Sequence, residues 1–435
     1  MGFRRDTIFA LSSGHGRAGV AVIRASGPQA GDALRALTRS GPPAARVATL
    51  RRISDRGGDP IDQALVLWFP GPASFTGEDL AEFHVHGGRA VVDAVLAALA
   101  QVEGCRPAEP GEFTRRAVEN GKLDLTEAEA LADLIDAETE AQRKQAVRQY
   151  GGALFELYEG WRSRLIRAAA WAEAAIDFAD EDIPPEVLER SRTQVAEIAD
   201  EIAAYLDDAR RGEILREGFY LTVIGPPNSG KSSFINALAR RDVAIVSDIP
   251  GTTRDVLEVH LDLGGYPVTL ADTAGLREAA DSIETEGIRR ARARAKDADA
   301  VLVLLDVSID NSQFINSLDE ENQVIVWNKA DLPHPIVPGP AISTLTGEGM
   351  DGLVRRLTAL VASKLGGEGA PISRARHRSH LLAAETALRQ SLSHTEPELI
   401  AEELRVAMRA LGRLTGRVDV EELLDVVFRD FCIGK

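Results

Sequence analysis

The spacing of hydrophobic positions changes character along the chain. Residues 1–120 carry short strand-like runs, "AGVAVIRASG", "QALVLWFP" and "AEFHVHGG", punctuated by Gly and Pro, with one helical stretch, "AVVDAVLAALAQVEG". Such a mixture predicts a compact α+β domain. From Leu125 the period becomes helical. Thr126 and Glu129 stand at capping-box spacing ahead of an Ala/Leu/Ile/Glu run. Leu154, Tyr158, Trp161, Leu165, Ala168, Ala172 and Ile176 then recur at intervals of four and three, one apolar stripe on one helix. The stripe predicts a packed helical bundle, with a dimer seam as the alternative. "DIPPEV" at 182–187 ends that helix, and another runs to about Arg211.

Between 219 and 365 strand and helix signals alternate: "FYLTVIG", "PVTLADTAG", "DAVLVLLD", "QVIVWNKAD", then "GMDGLVRRLTALVASKL". That order predicts a doubly wound α/β domain. Helical texture resumes through 376–431. The predicted fold is therefore multidomain: an N-terminal α+β domain (1–120), a helical domain in two parts (121–215 and 371–435), and an α/β domain (216–370) inserted between them.

Bulk properties narrow the classes. At roughly 150 residues per domain the length suits about three domains. A hydrophobic content of 44% and a charged content of 27% are those of a globular protein. No apolar run reaches the ~18 residues of a membrane span, and "MGFRRDTIFALSSGHGRAG" has no sustained apolar core of a signal peptide. With Cys105 and Cys432 as the two cysteines, no disulfide framework is expected and a cytoplasmic setting is. The net charge of −17 argues against binding nucleic acid through global charge.

The chemistry is concentrated in the α/β segment. "GPPNSGKSS" (225–233) holds G-x-x-x-x-G-K-S between a strand signal and a helix signal. Gly225 and Gly230 let the backbone around Asn228, Ser229 and Ser233 turn its N–H groups toward phosphate oxygens. Lys231 reaches the β/γ-phosphates, and the Ser232 hydroxyl is a Mg²⁺ ligand. "DTAG" places Asp272 by the Mg²⁺ shell and Gly275, after Thr273 and Ala274, at the γ-phosphate. "NKAD" supplies Asn328, Lys329 and Asp331, whose carboxylate accepts two N–H bonds from a guanine edge. "GTTRD" stands where switch I belongs, with Thr253 as the second Mg²⁺ ligand. Four elements in this order predict GTP binding. A Ras-type enzyme orients its water with a glutamine after the "DTAG" glycine. Here that position is Leu276, and Glu278, Asp281, Glu284 and Glu286 are the carboxylates nearby.

Other features carry rival readings. Glu82, His84 and His86 share one strand face, as metal ligands do, against an ordinary polar face. "RRARARAK" (289–296) and "SRARHRSH" (373–380) are basic runs open to RNA or to solvent. The terminal "CIGK" fits a prenylation box poorly, since Gly434 is not aliphatic. Cys432 is then either a small packing residue or a chemical thiol.

Together "GPPNSGKSS", "GTTRD", "DTAGLRE", "NKAD", "SFTGEDLAEFHVHGG", "PGEFTRRAVENGKLDLTEAEA" and the terminal "CIGK" resemble the tRNA-modification GTPase family MnmE, also called TrmE, over the whole chain. The resemblance implies a K⁺-stimulated GTPase working as a homodimer with an FAD-containing partner, MnmG, in a heterotetramer. The pair would modify C5 of the wobble uridine of certain tRNAs with a one-carbon unit from 5,10-methylenetetrahydrofolate. It implies K⁺ ligation by Asn228, Ser247, Ile249 and Thr252, within a nucleotide-contacting segment that includes Asp248, Pro250 and Gly251. It implies Glu284 as the water-orienting carboxylate. Arg24, Glu82, Lys122 and Lys435 become folate ligands, with Cys432 beside them. The guanine-supporting loop Ser343, Thr344, Leu345 departs from the usual Ser-Ala-x. The rival from another class is a GTP-dependent ribosome-assembly switch. It shares "GTTRD", but this chain has one P-loop and no KH-like loop.

Overall fold

The computed structural model describes residues 6–14, 16–177, 185–245, 258–272, 298–315, 323–367 and 374–418, with 424, 427, 428, 431 and 434 near the C-terminus. By its contacts the chain divides into two units, one of 1–132, 150–166 and 408–435, the other of 133–149 and 167–407.

The first unit is built on a six-stranded sheet: β1 (Thr7–Leu11), β2 (Ala18–Ser26), β3 (Thr49–Ser54), β4 (Pro60–Phe69), β5 (Leu80–Gly87) and β6 (Cys105–Pro107), in the order β3-β4-β5-β2-β1-β6. Neighbours are antiparallel except β1 and β6. Helices α1 (Ala30–Thr38) and α2 (Arg89–Ala100) cover one face, where Leu34, Leu37, Val95 and Leu99 pack on Ile23, Val66 and Phe83. The opposite face of β5 presents Glu82, His84 and His86, as its alternation predicts. Three strands and one helix were expected, and among the described residues six strands and three helices are found, α3 (Glu112–Glu119) being the third. The additions are short, and two of them depart from a simple pattern: β1 "TIFAL" is buried almost throughout, and α3 buries the charged Glu112 and Arg116.

Helices α4 (Leu125–Asp136), α5 (Glu140–Tyr150), α6 (Ala153–Asp177), α7 (Pro185–Asp207) and α8 (Ala209–Glu217) follow. The capping box at the start of α4 is not Thr126/Glu129. Asp124 accepts from the N–H groups of Thr126 (2.7 Å) and Glu127 (3.1 Å), and Glu127 accepts from the Asp124 N–H (2.9 Å). The reciprocal pair sits two residues earlier because the ionised carboxylate of Asp124 is the stronger acceptor, which leaves Thr126 and Glu129 buried. On α6 the stripe from Leu154 to Ala172 is buried and Ile176 half-buried, so it packs inside the chain and offers no seam. The residues that would end α6 by "DIPPEV" lie partly outside the described set.

The α/β segment of the second unit has β7 (Phe219–Ile224), β8 (Glu258–Leu263), β9 (Tyr266–Asp272), β10 (Ala300–Asp306) and β11 (Gln323–Asn328), in the order β11-β10-β7-β9-β8. All pairings are parallel but that of the edge strand β8. The strands β7, β9, β10 and β11 are the four expected. β8 was missed, although its turn to β9 is Gly264-Gly265, both at positive φ (67° and 89°), a two-residue hairpin signature. Helices α9 (Lys231–Ala239), α10 (Ser312–Ile315) and α11 (Met350–Leu365) complete the segment, and Phe234, Leu238, Leu353 and Leu357 pack on Leu221, Leu270, Leu302 and Val326.

The helical flanks meet. α12 (Ala375–Ser393), ahead of α13 (Pro397–Leu414), lies against α7, with Arg192 Nη2 donating to the Leu392 carbonyl (2.6 Å) and Arg389 paired with Asp200 (2.8 Å). Asp133 Oδ1 accepts from Arg216 Nε (3.0 Å), where the chain leads into β7, and from Arg374 Nη2 (2.7 Å), where it leads into α12.

Candidate functional site

The first site grows from the carboxyl ends of the parallel strands, where doubly wound sheets place their ligands. β7 ends in 225–230, and the loop turns through Asn228 (φ 63°) and Gly230 (φ 96°) into α9. A side chain at Gly225 would strike the Leu304 carbonyl at 2.2 Å, and one at Gly230 the Asn328 amide at 2.3 Å. Both glycines are thus forced by the close approach of β10 and of the "NKAD" loop. Lys231 Nζ donates to the Gly225 and Pro226 carbonyls, 2.9 Å each. Ser229 is fully buried and its hydroxyl finds no partner among the described residues, a polar atom turned inside the phosphate loop. Asn228, Ser232 and Ser233 are exposed on the loop and first helical turn.

The Asn-Lys-x-Asp loop is braced to the loop after β7. Asn328 Nδ2 donates to the Ser229 carbonyl (2.9 Å), and Asn328 Oδ1 accepts from the Thr344 N–H (3.2 Å). Ser343, fully buried, donates to Asp331 Oδ1 (2.5 Å) and accepts from the Thr346 N–H (3.1 Å). The loop 343–345 therefore braces Asn328 and Asp331 through one hydroxyl and one main-chain N–H. The change from the usual Ser-Ala costs nothing there, because Thr344 acts through its backbone. Leu345 is exposed. Lys329, at φ 66°, pairs with Asp306 (2.5 Å). Burial raises the Asp306 carboxyl, but Lys329 and Ser308 outweigh it and hold the group below the ordinary carboxylate range. Asp306 was missed by sequence reasoning, and its position closing an apolar strand was the available signal.

Ser247, Asp248, Ile249, Pro250, Gly251, Thr252, Thr253, Thr273, Ala274, Gly275 and Glu284 lie outside the described residues, as does the 289–296 run. Asp272 is described as the end of β9 without its side chain.

The second site is on the open face of the N-terminal sheet. Arg24 on β2 and Glu82 on β5 are cross-strand partners. Arg24 Nε (3.1 Å) and Nη2 (2.9 Å) both donate to Glu82 Oε1, while His84 Nε2 donates to Oε2 (3.1 Å). Two rings that sequence reasoning missed flank the guanidinium, Phe75 at 5.5 Å and Phe113 at 5.9 Å. The Phe75 loop is pinned from below. Ser26 Oγ bonds Glu78 (2.8 Å) and Thr76 (2.7 Å), and Arg116 Nη1 donates to Glu78 (3.2 Å). Arg116 and Arg106 also meet Glu112 and Asp6. For Asp6 and Glu112 burial pushes up, but the guanidiniums prevail and hold both below the ordinary carboxylate range.

The metal reading of Glu82, His84 and His86 is overturned. Glu82 pairs with Arg24 and His84, and His86 turns away to Asp62 (2.8 Å). Among the described residues no group of three ligating side chains forms a metal site. Lys122 is exposed near Gly77. Cys432 and Lys435 lie outside the described residues, but Gly434 is docked. Its carbonyl accepts from Ser12 Oγ (2.7 Å), beside the end of β1, and β1 pairs Ala10 with Arg24. Cys105 is half-buried, and burial, helped by Asp32, pushes its thiol up to about 11, too high for a nucleophile at neutral pH.

A phosphate loop at the head of a parallel sheet, braced to an Asn-Lys-x-Asp loop, defines a P-loop protein of the guanine-nucleotide-binding class. Residues 7–122 match the family described as GTP-binding protein TrmE N-terminus, and residues 125–432 match the MnmE helical domain. The chain is similar to a protein of Parvibaculum lavamentivorans named tRNA modification GTPase MnmE, 56% identical over 99% of this chain and 100% of that one. It is also similar to the Rhodospirillum rubrum protein of that name, 53% identical over 99% of each. A human mitochondrial protein, 5-taurinomethyluridine-[tRNA] synthase subunit GTPB3, is 52% identical over 99% of this chain and 93% of its own length. The chain belongs to the MnmE (TrmE) family.

Proposed function

We propose that this chain is a GTP hydrolase that works in tRNA modification, at the wobble uridine of certain tRNAs. One observation carries the reading: Asp331, fixed by Ser343, closes the Asn-Lys-x-Asp loop of a chain that matches tRNA modification GTPases over 99% of its length. Asp331 accepts two N–H bonds from guanine, and Lys231 and the N–H groups of 228–233 meet the phosphates. Ser232, an exposed hydroxyl beside Lys231, is a hard oxygen donor suited to Mg²⁺, with Thr253 as its companion. Asn228, Ser247, Ile249 and Thr252 offer oxygens to K⁺. The two cations, when bound, oppose the charge on the phosphate oxygens. Glu284 orients a water that adds to the γ-phosphorus as the bond to the bridging oxygen breaks, giving GDP and phosphate.

The N-terminal site holds a tetrahydrofolate, the one-carbon donor 5,10-methylenetetrahydrofolate, through Arg24, Glu82, Lys122 and Lys435. The pre-paired, aromatic-flanked Arg24–Glu82 supports that fit, because a folate carries both a hydrogen-bonding ring edge and carboxylates. The working form is a cytoplasmic homodimer joined to an FAD-containing, MnmG-like partner. Mass spectrometry of wobble nucleosides from a deletion strain tests the reading. Loss of the aminomethyl-type group at C5 is the expected result. Intact nucleosides with accumulating ribosome precursors would establish the assembly-switch alternative instead.

A further inference from the structure

Helices α4, α5 and α8 enclose a cavity of about 140 Å³ in the second unit. Two glutamines of α5 line it, and they differ. The amide of Gln142 is used at both ends. Its Oε1 accepts from the N–H groups of Glu138 and Thr139 (3.1 Å each), and its Nε2 donates to the Arg216 carbonyl (3.0 Å). Gln145 is 9% exposed and its amide is used at one end only. Its Nε2 donates to the Gly212 carbonyl (3.3 Å), while its Oε1 is buried with no donor among the described residues. Turning the amide over brings no relief, because an oxygen would then face the Gly212 carbonyl. The unfilled atom is therefore an acceptor, and its partner must donate.

The walls set the charge of that donor. Asp133, Asp136 and Glu217 bring three carboxylates, against the one guanidinium of Arg216. Asp133 is held by Arg216 and Arg374, and Glu217 meets Arg216 at 3.4 Å. Asp136 has no cationic partner among the described residues, so the balance favours a cation. A bare metal ion does not fit, since among the described residues no three ligating side chains converge. A single water does not fill the space either, which is about ten times what one water needs. Ala146 adds an apolar wall. We propose that this cavity binds a primary ammonium group on an aliphatic stem. One N–H goes to Gln145 Oε1 and the others to the carboxylates of Asp136 and Glu217, with the stem against Ala146. The occupant ties α4 and α5 to the end of α8, where the chain leads into β7. Two sources offer this chemistry, a free diamine and the lysine side chain of another protein.

The test is calorimetric titration of the nucleotide-free full chain with putrescine and with Nα-acetyl-lysine methylamide, at ionic strength matched with NaCl. Wild type is expected to show one saturable site and a melting temperature that rises with the ligand. Asp136→Asn should weaken binding roughly tenfold. Gln145→Met should do the same, with Glu217→Gln in its place if that variant does not fold. The chain carries a net charge of −17, so Glu398→Gln, on the exposed surface of α13, is the control for general attraction of cations. It removes one charge far from the cavity in sequence and should leave binding intact. Tighter binding of putrescine supports the site and identifies a free diamine; tighter binding of the lysine compound supports it and identifies a lysyl side chain. An equal loss in Glu398→Gln overturns the site in favour of global charge. No saturable binding by wild type, or binding that neither Asp136→Asn nor Gln145→Met moves, overturns it and leaves a cavity for ordered water alone.

Discussion

Replacing Ser343 by Ala removes one oxygen and probes the base-reading loop without touching a ligand-contacting group. Two bonds go: the hydroxyl's donation to Asp331 Oδ1 and its acceptance from the Thr346 N–H. A bond to a charged group contributes about 1.5–3 kcal/mol, and Asp331 is exposed, which favours the lower end. The brace from the Thr344 N–H to Asn328 survives, so the loop keeps its path and loses only the fixing of the carboxylate. About 1.5 kcal/mol corresponds to roughly tenfold weaker GTP binding. Titration with a fluorescent GTP analogue measures it, with ATP as competitor and a thermal melt as control for folding. A loss under about twofold would refute the role given to Ser343, and so would a parallel fall in melting temperature that accounts for the whole effect.

Asp331→Asn should shift preference from GTP toward XTP, because the amide offers a donor where guanine also offers one; competition binding decides, and unchanged GTP affinity contradicts it. Glu284→Ala should lower kcat with little change in GTP affinity, as a water-orienting group acts in the transition state. Gly434→Ala should displace the tail, since Gly434 lies at φ 100° and an added Cβ would meet the Leu11 carbonyl at 2.0 Å. Wobble modification should then fall while GTP turnover holds, and wild-type modification by this variant would separate the tail from the folate site. Arg116→Met should destabilise the chain by about 1–3 kcal/mol at neutral pH: Glu78 loses its guanidinium, while Asp6 and Glu112 each lose one of two and keep Arg106. Asp6 and Glu112 are held below their unfolded values, so their contribution is present above the ordinary carboxylate range and disappears as pH falls through it. Urea melts should show the gap between variant and wild type narrowing below about pH 4.

Legibility in the sequence followed the reach of the forces involved. The four parallel strands of the α/β segment were readable because each is an apolar run closed by a motif. The strands β1 and β6 were not: "TIFAL" is short and shows no alternation, and "CRP" becomes a strand only by pairing with β1 far back in the chain. The places of the 225–233 and 328–331 loops after strands were legible, while the Asn328 brace between them and the Asp306–Lys329 pair needed coordinates. The Glu82/His84/His86 face was read correctly as a face. Its chemistry turned on Arg24, a residue 58 positions away that only the β2–β5 register brings alongside. The shift of the capping box to Asp124 and Glu127 is the reverse case, a local competition in which the stronger acceptor won.

The single carboxylate of Asp133, held by Arg216 on one side and Arg374 on the other, brings both ends of the α/β insertion within the reach of two side chains. The ends of an excised insertion therefore lie within the span of two arginine side chains that meet on one carboxylate, and a Gly-Ser bridge between the severed ends of the remaining helices has that distance to cover. The same closeness makes the insertion a movable cassette. It can be exchanged for another P-loop domain whose termini are equally close, with the helical scaffold left to close over the joint.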